Sequence, residues 1–187
     1  MFRYFTLFLA LMASTALVWA QQSDSGDKSF DVRSSVGDLH VGKDADAGKA
    51  GIPLYPGARP KVEKDNDPLN FGVLTEAFGL KLIVAKYETA DDPAKVITFY
   101  RGKLKKYGSV LECHSQRHDT GVSLRDDDKD SGNNRELKCE ENSGPVTELK
   151  VGTEDNQRIV AVESGDAGSG SNFAIVYLHA RGKRGDI

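Results

Sequence analysis

The residues best suited to chemistry in this 187-residue chain lie around its two cysteines, Cys113 and Cys139. His114, His118 and Asp119 follow Cys113 closely, and thiolate with imidazole is a ligand set that suits zinc or copper. However, the spacing matches no standard zinc motif, and adjacent residues on a strand point to opposite faces. A metal or redox site therefore stays as an alternative, with His114 and His118 as candidate ligands.

A disulfide bond between Cys113 and Cys139 is the interpretation that the sequence favours. In each of two predicted strands, residues 109–113 and 136–140, the cysteine and a leucine two positions away face the same side. If these strands pair antiparallel, a cross-strand bridge is geometrically reasonable and would close the loop between them. Two buried free thiols are the remaining alternative.

An acidic run offers three alternating carboxylates, Asp126, Asp128 and Asp130, as in a calcium-binding loop. An EF-hand would require glycine at position 131 and glutamate at position 137, where this chain has Ser131 and Leu137. We therefore favour a solvated loop and keep calcium binding at these aspartates as an alternative.

Motifs for covalent or cofactor chemistry are not evident in the sequence. Residues 164–172 contain three glycines after a predicted strand, but they lead into another strand, so the helix N-terminus that binds phosphate is not expected. There is no G-x-S-x-G nucleophile motif. The histidines, at 40, 114, 118 and 179, show no spacing typical of a triad. We predict no cofactor, and whether the chain is an enzyme is left uncertain, with the balance against catalysis.

The first twenty residues have the layout of a secretory signal peptide. Arg3 supplies a positive charge, residues 5–18 are mainly apolar, and cleavage is expected between Ala20 and Gln21. The alternative is a membrane anchor, but a spanning helix needs about 20 apolar residues and this run is shorter. We expect an exported protein, periplasmic or secreted, without a stable membrane anchor after cleavage.

Composition narrows the possible partners. The chain has 28 acidic and 25 basic residues, a net charge of −3, and loss of the leader with Arg3 would remove one more positive charge. General nucleic-acid binding requires a basic surface, so no nucleic-acid partner is expected. In an exported protein, an even number of cysteines also favours a structural disulfide.

The helix that should organise the fold follows residue 92. Thr89 or Asp92 can cap it and Pro93 suits its first turn. Apolar residues then recur at three-to-four spacing up to Tyr107, and Gly108 is a natural stop. The segment 51–58, which contains two prolines, is expected to be extended and to dock on the domain.

The remaining pattern is that of β-strands and polar turns. It predicts an α+β fold: an antiparallel sheet of about five to seven strands with one long helix packed on it. In domain terms we expect a signal peptide at 1–20, a flexible leader at 21–29 and a single domain at 30–187. That domain would contain a long polar loop at 114–135.

The chain also resembles an uncharacterised family of exported bacterial proteins. The resemblance covers most of the mature chain. It rests on a YPGA segment at 55–58, a helix with the pattern T-x-D-x-P-x-x-V-x-x-F-Y at 89–100, and the stretch 36–41, where this chain has Val36 in place of an expected aromatic residue. The resemblance implies one domain from about Phe30 onward and implies no activity.

The leading functional hypothesis is a non-catalytic binding or structural module of the cell envelope or extracellular space. Its partner there would be a protein, a polymer or a small ligand that the sequence does not identify. The alternatives are a metal-binding or redox protein that uses the Cys/His cluster, and a hydrolase whose site is assembled from distant residues. The sequence gives no indication of oligomeric state.

Overall fold

The computed structural model describes residues 29–61, 68–116, 136–140, 142–166 and 168–182, which form nine β-strands and one α-helix. The strands are β1 (Ser29–Ser34), β2 (Gly37–Gly42), β3 (Arg59–Pro60), β4 (Leu69–Leu74), β5 (Gly79–Thr89), β6 (Leu111–Ser115), β7 (Val146–Thr153), β8 (Asn156–Ser164) and β9 (Ser171–Arg181). The helix, α1 (Pro93–Leu104), continues into a 3-10 turn (Lys105–Tyr107).

All nine strands lie in one antiparallel sheet with the order β1-β2-β4-β5-β9-β8-β7-β6. The short strand β3 lies off this path and pairs with the far end of β5. Helix α1 packs on β7, β8 and β9. The helix therefore does not cover β1, β2 and β4, whose residues on the helix-bearing face are left without a helix above them.

The predicted antiparallel sheet with one packed helix is confirmed in outline, but two details were wrong. The sheet has nine strands among the described residues, rather than five to seven, because the β1–β2 hairpin joins it and β3 adds a two-residue strand. The helix has 12 residues, about 18 Å of length, so it is short rather than long. The architecture is thus closer to all-β than to α+β.

Helix α1 forms where the sequence predicts it and for the reasons given there. The Asp92 carboxylate caps it by accepting a hydrogen bond from the Ala94 amide at 2.8 Å. Val96, Tyr100 and Leu104 are fully buried on one stripe. No helix within the described ranges has both the length and the apolar character needed to span a bilayer.

The main core lies between α1 and the sheet and is centred on Phe173 of β9. Its ring lies 5.4 Å from that of Tyr87 and 5.6 Å from that of Tyr100. Tyr55, which comes from outside the regular elements, adds a third contact at 6.4 Å. Aromatic pairs at these separations contribute beyond the area they bury.

The connection between β2 and β3 (residues 43–58) has no regular secondary structure, yet it is part of this core. The Tyr87 hydroxyl accepts a hydrogen bond from the Ala47 amide at 2.8 Å, and the Tyr100 hydroxyl accepts one from the Tyr55 amide at 3.0 Å. Buried backbone groups without a strand partner need such alternatives, so tyrosine hydroxyls replace the missing ladder.

A second set of contacts holds the same connection from the side. The Tyr107 hydroxyl donates to the Gly51 carbonyl, and the Arg158 guanidinium donates to the Ala50 carbonyl at 3.3 Å. That guanidinium lies between two rings, 4.2 Å from the centroid of Tyr107 and 4.5 Å from that of Tyr177. The planar cation is therefore fixed by stacking as well as by hydrogen bonding.

Docking of the segment 51–58 is confirmed in part. Ile52 and Tyr55 are buried, as a docked segment requires. Leu54 lies between them and is 41% exposed. In regular extended backbone Leu54 would share the side of Ile52, so residues 52–55 depart from strict alternation and Leu54 faces outward.

We predict that Tyr100→Phe lowers the free energy of unfolding by about 1–3 kcal/mol, because it leaves the buried Tyr55 amide without an acceptor. Urea unfolding measures the change. Tyr177→Phe is the matched control, since it removes a hydroxyl and keeps the ring over Arg158. Equal effects of the two substitutions would contradict the role given to the Tyr100 hydroxyl.

The buried tyrosines also predict alkaline sensitivity. Burial raises the pKa of both Tyr87 and Tyr100, whereas an unfolded tyrosine titrates near pH 10. Above about pH 10 the unfolded state loses these protons and the folded state keeps them. The free energy of unfolding, which is unaffected by these groups below this pH, therefore falls as pH rises, by up to about 1.4 kcal/mol per pH unit for each tyrosine.

Urea unfolding of the wild type and of Tyr87→Phe at several pH values from 9 to 11 tests this expectation. The variant should be less stable at pH 9, because it loses the bond from Ala47. Its stability should nevertheless fall less steeply above pH 10. An unchanged slope in the variant would show that Tyr87 does not contribute to the alkaline transition.

Candidate functional site

The described structure has a groove of about 460 Å³ on the helix-bearing face of the sheet, over β1, β2, β4, β5 and the C-terminal end of β9. Volumes of this order are typical of sites for small molecules. Two transverse rows of residues, defined by the strand register, form its floor and walls. Residues paired across an antiparallel sheet project to the same face, so each row can be followed from strand to strand.

The first row runs from β1 to β9 through Asp31, His40, Gly72, Lys81 and His179. Gly72 supplies no side chain at the centre. Neighbouring strands are about 4.8 Å apart, so the Cα atoms of His40 and Lys81 are separated by about 10 Å, with backbone alone between them. This gap is the floor of the groove.

The second row contains Arg33, Asp38, Leu74, Gly79 and Arg181. Arg181 lies across β5 and donates a hydrogen bond to the Thr75 carbonyl at 3.0 Å. A Cβ at position 79 would be 2.8 Å from Arg181 Nε. Glycine at this position therefore allows the arginine to cross the strand.

His40 is the most constrained side chain of the groove. Its Nδ1 lies 2.7 Å from an Asp31 carboxylate oxygen, and its Nε2 lies 3.8 Å from Asp44 Oδ1. A Cβ at Gly42 would be 2.6 Å from that Asp44 oxygen, so a larger residue there would displace the Asp44 carboxylate. The imidazole is thus held between two carboxylates.

Asp44 connects the groove to the β2–β3 connection. Its Oδ1 accepts a hydrogen bond from Asn70 at 3.1 Å, and its other oxygen forms an ion pair with Lys49. The hydrogen bond from Lys49 lowers the pKa of the Asp44 carboxyl despite its partial burial. The connection therefore places an ionised carboxylate, paired with Lys49, beside His40 at this end of the groove.

Two imidazole nitrogens in this groove have no hydrogen-bond partner. Among the described residues, the side-chain nitrogen and oxygen atoms that are buried without a partner are His40 Nε2 and His179 Nδ1. Buried polar atoms are nearly always satisfied in native proteins, so exceptions point to strain, an unseen ligand or a functional role. Both exceptions here belong to residues that line one concavity.

The His40–Asp31 pair has the geometry of an oriented general base. However, the ring nitrogen that would act on a substrate is buried towards Asp44. Among the described lining residues there is also no serine, threonine or cysteine side chain that this base could activate.

The cysteines predicted to be bonded form a disulfide, with their Cα atoms 5.4 Å apart. The expected strand pairing was wrong. β6, which carries Cys113, pairs with β7, and the segment 136–140 that carries Cys139 is not a strand. β7 is a longer and more completely buried strand than the charged segment 136–140, so it takes the place beside β6.

Of the residues considered for a metal site, the structure describes Cys113, His114 and Cys139. Cys113 and Cys139 are consumed by the disulfide. His114 lies on β6, and five strands separate it from His40 on β2. No group of three or more potential ligands with metal-site geometry occurs among the described residues. His118, Asp126, Asp128 and Asp130 lie outside the described residues, as do Ala20 and Gln21.

Sequence spacing did not predict the groove, because the residues that line it together are distant in sequence. His40 and His179 are 139 positions apart in the numbering, and the register alone brings them to one row. One signal was present. Gly72 interrupts an apolar strand, and an isolated glycine there can mark the approach of a ligand.

We predict that replacing both cysteines, Cys113→Ala with Cys139→Ala, lowers the free energy of unfolding by about 3.5 kcal/mol, the loop-closure value for a separation of 26 residues. Urea unfolding of the oxidised wild type and the double variant gives the difference. Treatment of the double variant with reductant is the control and should change nothing. A double variant as stable as the oxidised wild type would show that the bond contributes no stability.

Comparison with known proteins identifies no relative, so the functional argument rests on the groove. No protein-family model, curated protein or solved structure matches this chain.

Proposed function

We propose that this protein is an exported, non-catalytic binding module of the cell envelope or extracellular space, with its ligand site in the groove around Gly72. The observation that carries the proposal is that the two unpartnered buried imidazole nitrogens, on His40 and His179, both belong to residues lining this groove. A concavity of suitable volume with a few polar side chains in its lining is the usual basis for assigning a small-molecule site.

Export is supported by two independent features. The disulfide between Cys113 and Cys139 is the kind of bond that persists in oxidising compartments. The first twenty residues have the composition of a signal peptide.

A second concavity is less suited to this role. It lies beside α1, is lined mainly by Tyr55, Pro56 and Phe99, and is more open to solvent than the groove. Its charged side chain, Lys95, is already paired with Asp91 at 2.9 Å. The groove, by contrast, is lined by cationic side chains and by two histidines that each have one unpartnered ring nitrogen.

Fragment mapping by NMR tests the proposal without knowledge of the ligand. We expect fragments to bind preferentially at the groove and to shift the resonances of His40, Gly72 and His179. Gly72→Val should abolish these hits, since the new side chain fills the floor. The Cβ at position 72 meets only ordinary contacts, 3.8 Å to the Leu80 carbonyl oxygen and 3.9 Å to His40 Cβ, so the fold should be retained.

Gly102→Ala is the matched control, because position 102 lies on the exposed face of α1 with no atom within 4 Å of a Cβ there. It should leave the fragment map unchanged. Fragment hits concentrated elsewhere, or groove hits that persist in Gly72→Val, would refute the proposed site.

A further inference from the structure

The groove is more positive than the chain that contains it. The chain has a net charge of −3, but three cationic side chains line the groove: Arg33, Lys81 and Arg181. Of the two lining aspartates, Asp31 is engaged with His40. Even if Asp38 offsets Arg33, the charges of Lys81 and Arg181 remain without an ion-pair partner in the described structure.

Lys81 and Arg181 are neighbours in the sheet, and the Lys81 ammonium, which lies 5.9 Å from the Tyr177 ring centroid, must swing towards Arg181 for both to contact one ligand. Lys81 pairs with His179 across β5 and β9, and Arg181 lies two residues further along β9. Such diagonal neighbours have Cα atoms about 7–8 Å apart. Arg181 uses one N–H on the Thr75 carbonyl, which orders the guanidinium and leaves its other donors for a ligand.

The opposite wall contributes a third cation across the glycine floor. Arg33 lies on β1, at the other end of the row that ends in Arg181. It makes no ion pair within the described structure, although Asp38 is its direct cross-strand neighbour. Cations on both walls, with neutral backbone between, suit a ligand that carries anionic groups at two positions.

We propose that the groove binds a small ligand with at least two anionic groups, carboxylate or phosphate, which spans the floor at Gly72. Arg181 and Lys81 contact one group, with His179 beside them, and Arg33 contacts the other. Charge-assisted hydrogen bonds to carboxylate and phosphate are about twice as strong as neutral ones. This inference rests on the proposed binding function and specifies its ligand class.

The test is calorimetric and NMR titration of the oxidised protein with citrate and with inorganic pyrophosphate. Glucose and putrescine serve as uncharged and cationic comparison ligands. At least one of the two anions should bind, shift the resonances of Gly72 and His179, and lose affinity as ionic strength rises. Binding of citrate alone would identify carboxylate as the recognised group, and binding of pyrophosphate alone would identify phosphate.

Substitutions of the walls should change anion affinity in opposite directions. Lys81→Gln and Arg181→Gln should each weaken binding about tenfold, whereas Asp38→Asn should strengthen it about twofold to fivefold. Arg59→Gln is the matched control, since it removes one positive charge at the other end of β5, where Arg59 pairs with Glu88. It should leave affinity unchanged.

Two outcomes would overturn the inference: failure of both anions to shift groove resonances, or an effect of Arg59→Gln as large as that of Lys81→Gln. If glucose or putrescine binds the groove and the anions do not, the ligand class is wrong while the binding function stands. The fragment map with Gly72→Val decides the binding function separately, so failure of one proposal is distinguishable from failure of the other.

Discussion

The structure depends on how the irregular connection between β2 and β3 is held against the sheet. The sixteen residues of this connection, which have no strand partner, can enter a core only if their backbone groups find other hydrogen-bond partners. Here the partners are tyrosine hydroxyls from β5, α1 and the 3-10 turn, together with the stacked guanidinium of Arg158. The same contacts close the hydrophobic core, and a hydrogen bond from Asn70 holds Asp44 of this connection at the end of the groove.

The groove follows from this arrangement and from the position of the helix. Helix α1 covers only β7, β8 and β9. The β2–β3 connection therefore covers the part of the hydrophobic core that the helix leaves open. The strands beyond it can then carry charged residues on the helix-bearing face. Glycines at positions 42, 72 and 79 shape that surface by leaving room for Asp44, for the floor and for Arg181, respectively.

Local patterns predicted much of this fold, whereas the groove depended on long-range register. The helix could be placed because its cap at Asp92, Pro93 and the apolar stripe agree with one another. The disulfide was predicted correctly on a wrong strand pairing, since cysteine count and compartment carry that inference without geometry. The site could not be predicted, because His40, Lys81 and His179 meet only through the order β2-β4-β5-β9. Sequence spacing holds no information about that order.

The disulfide has a further consequence for how the two outer strands of the sheet meet solvent. An unpaired strand edge is a template for association with another chain. At β6, the bond to Cys139 holds a neighbouring segment against this edge, where His114 and Asn142 form a bridge. At β1, Phe30 is 60% exposed, and alternation with Asp31 and Arg33 supplies the charge that discourages pairing. Protection of the strand edge against association is thus covalent at β6 and electrostatic at β1. Reductant should therefore expose the edge at β6, whereas salt should weaken the protection at β1.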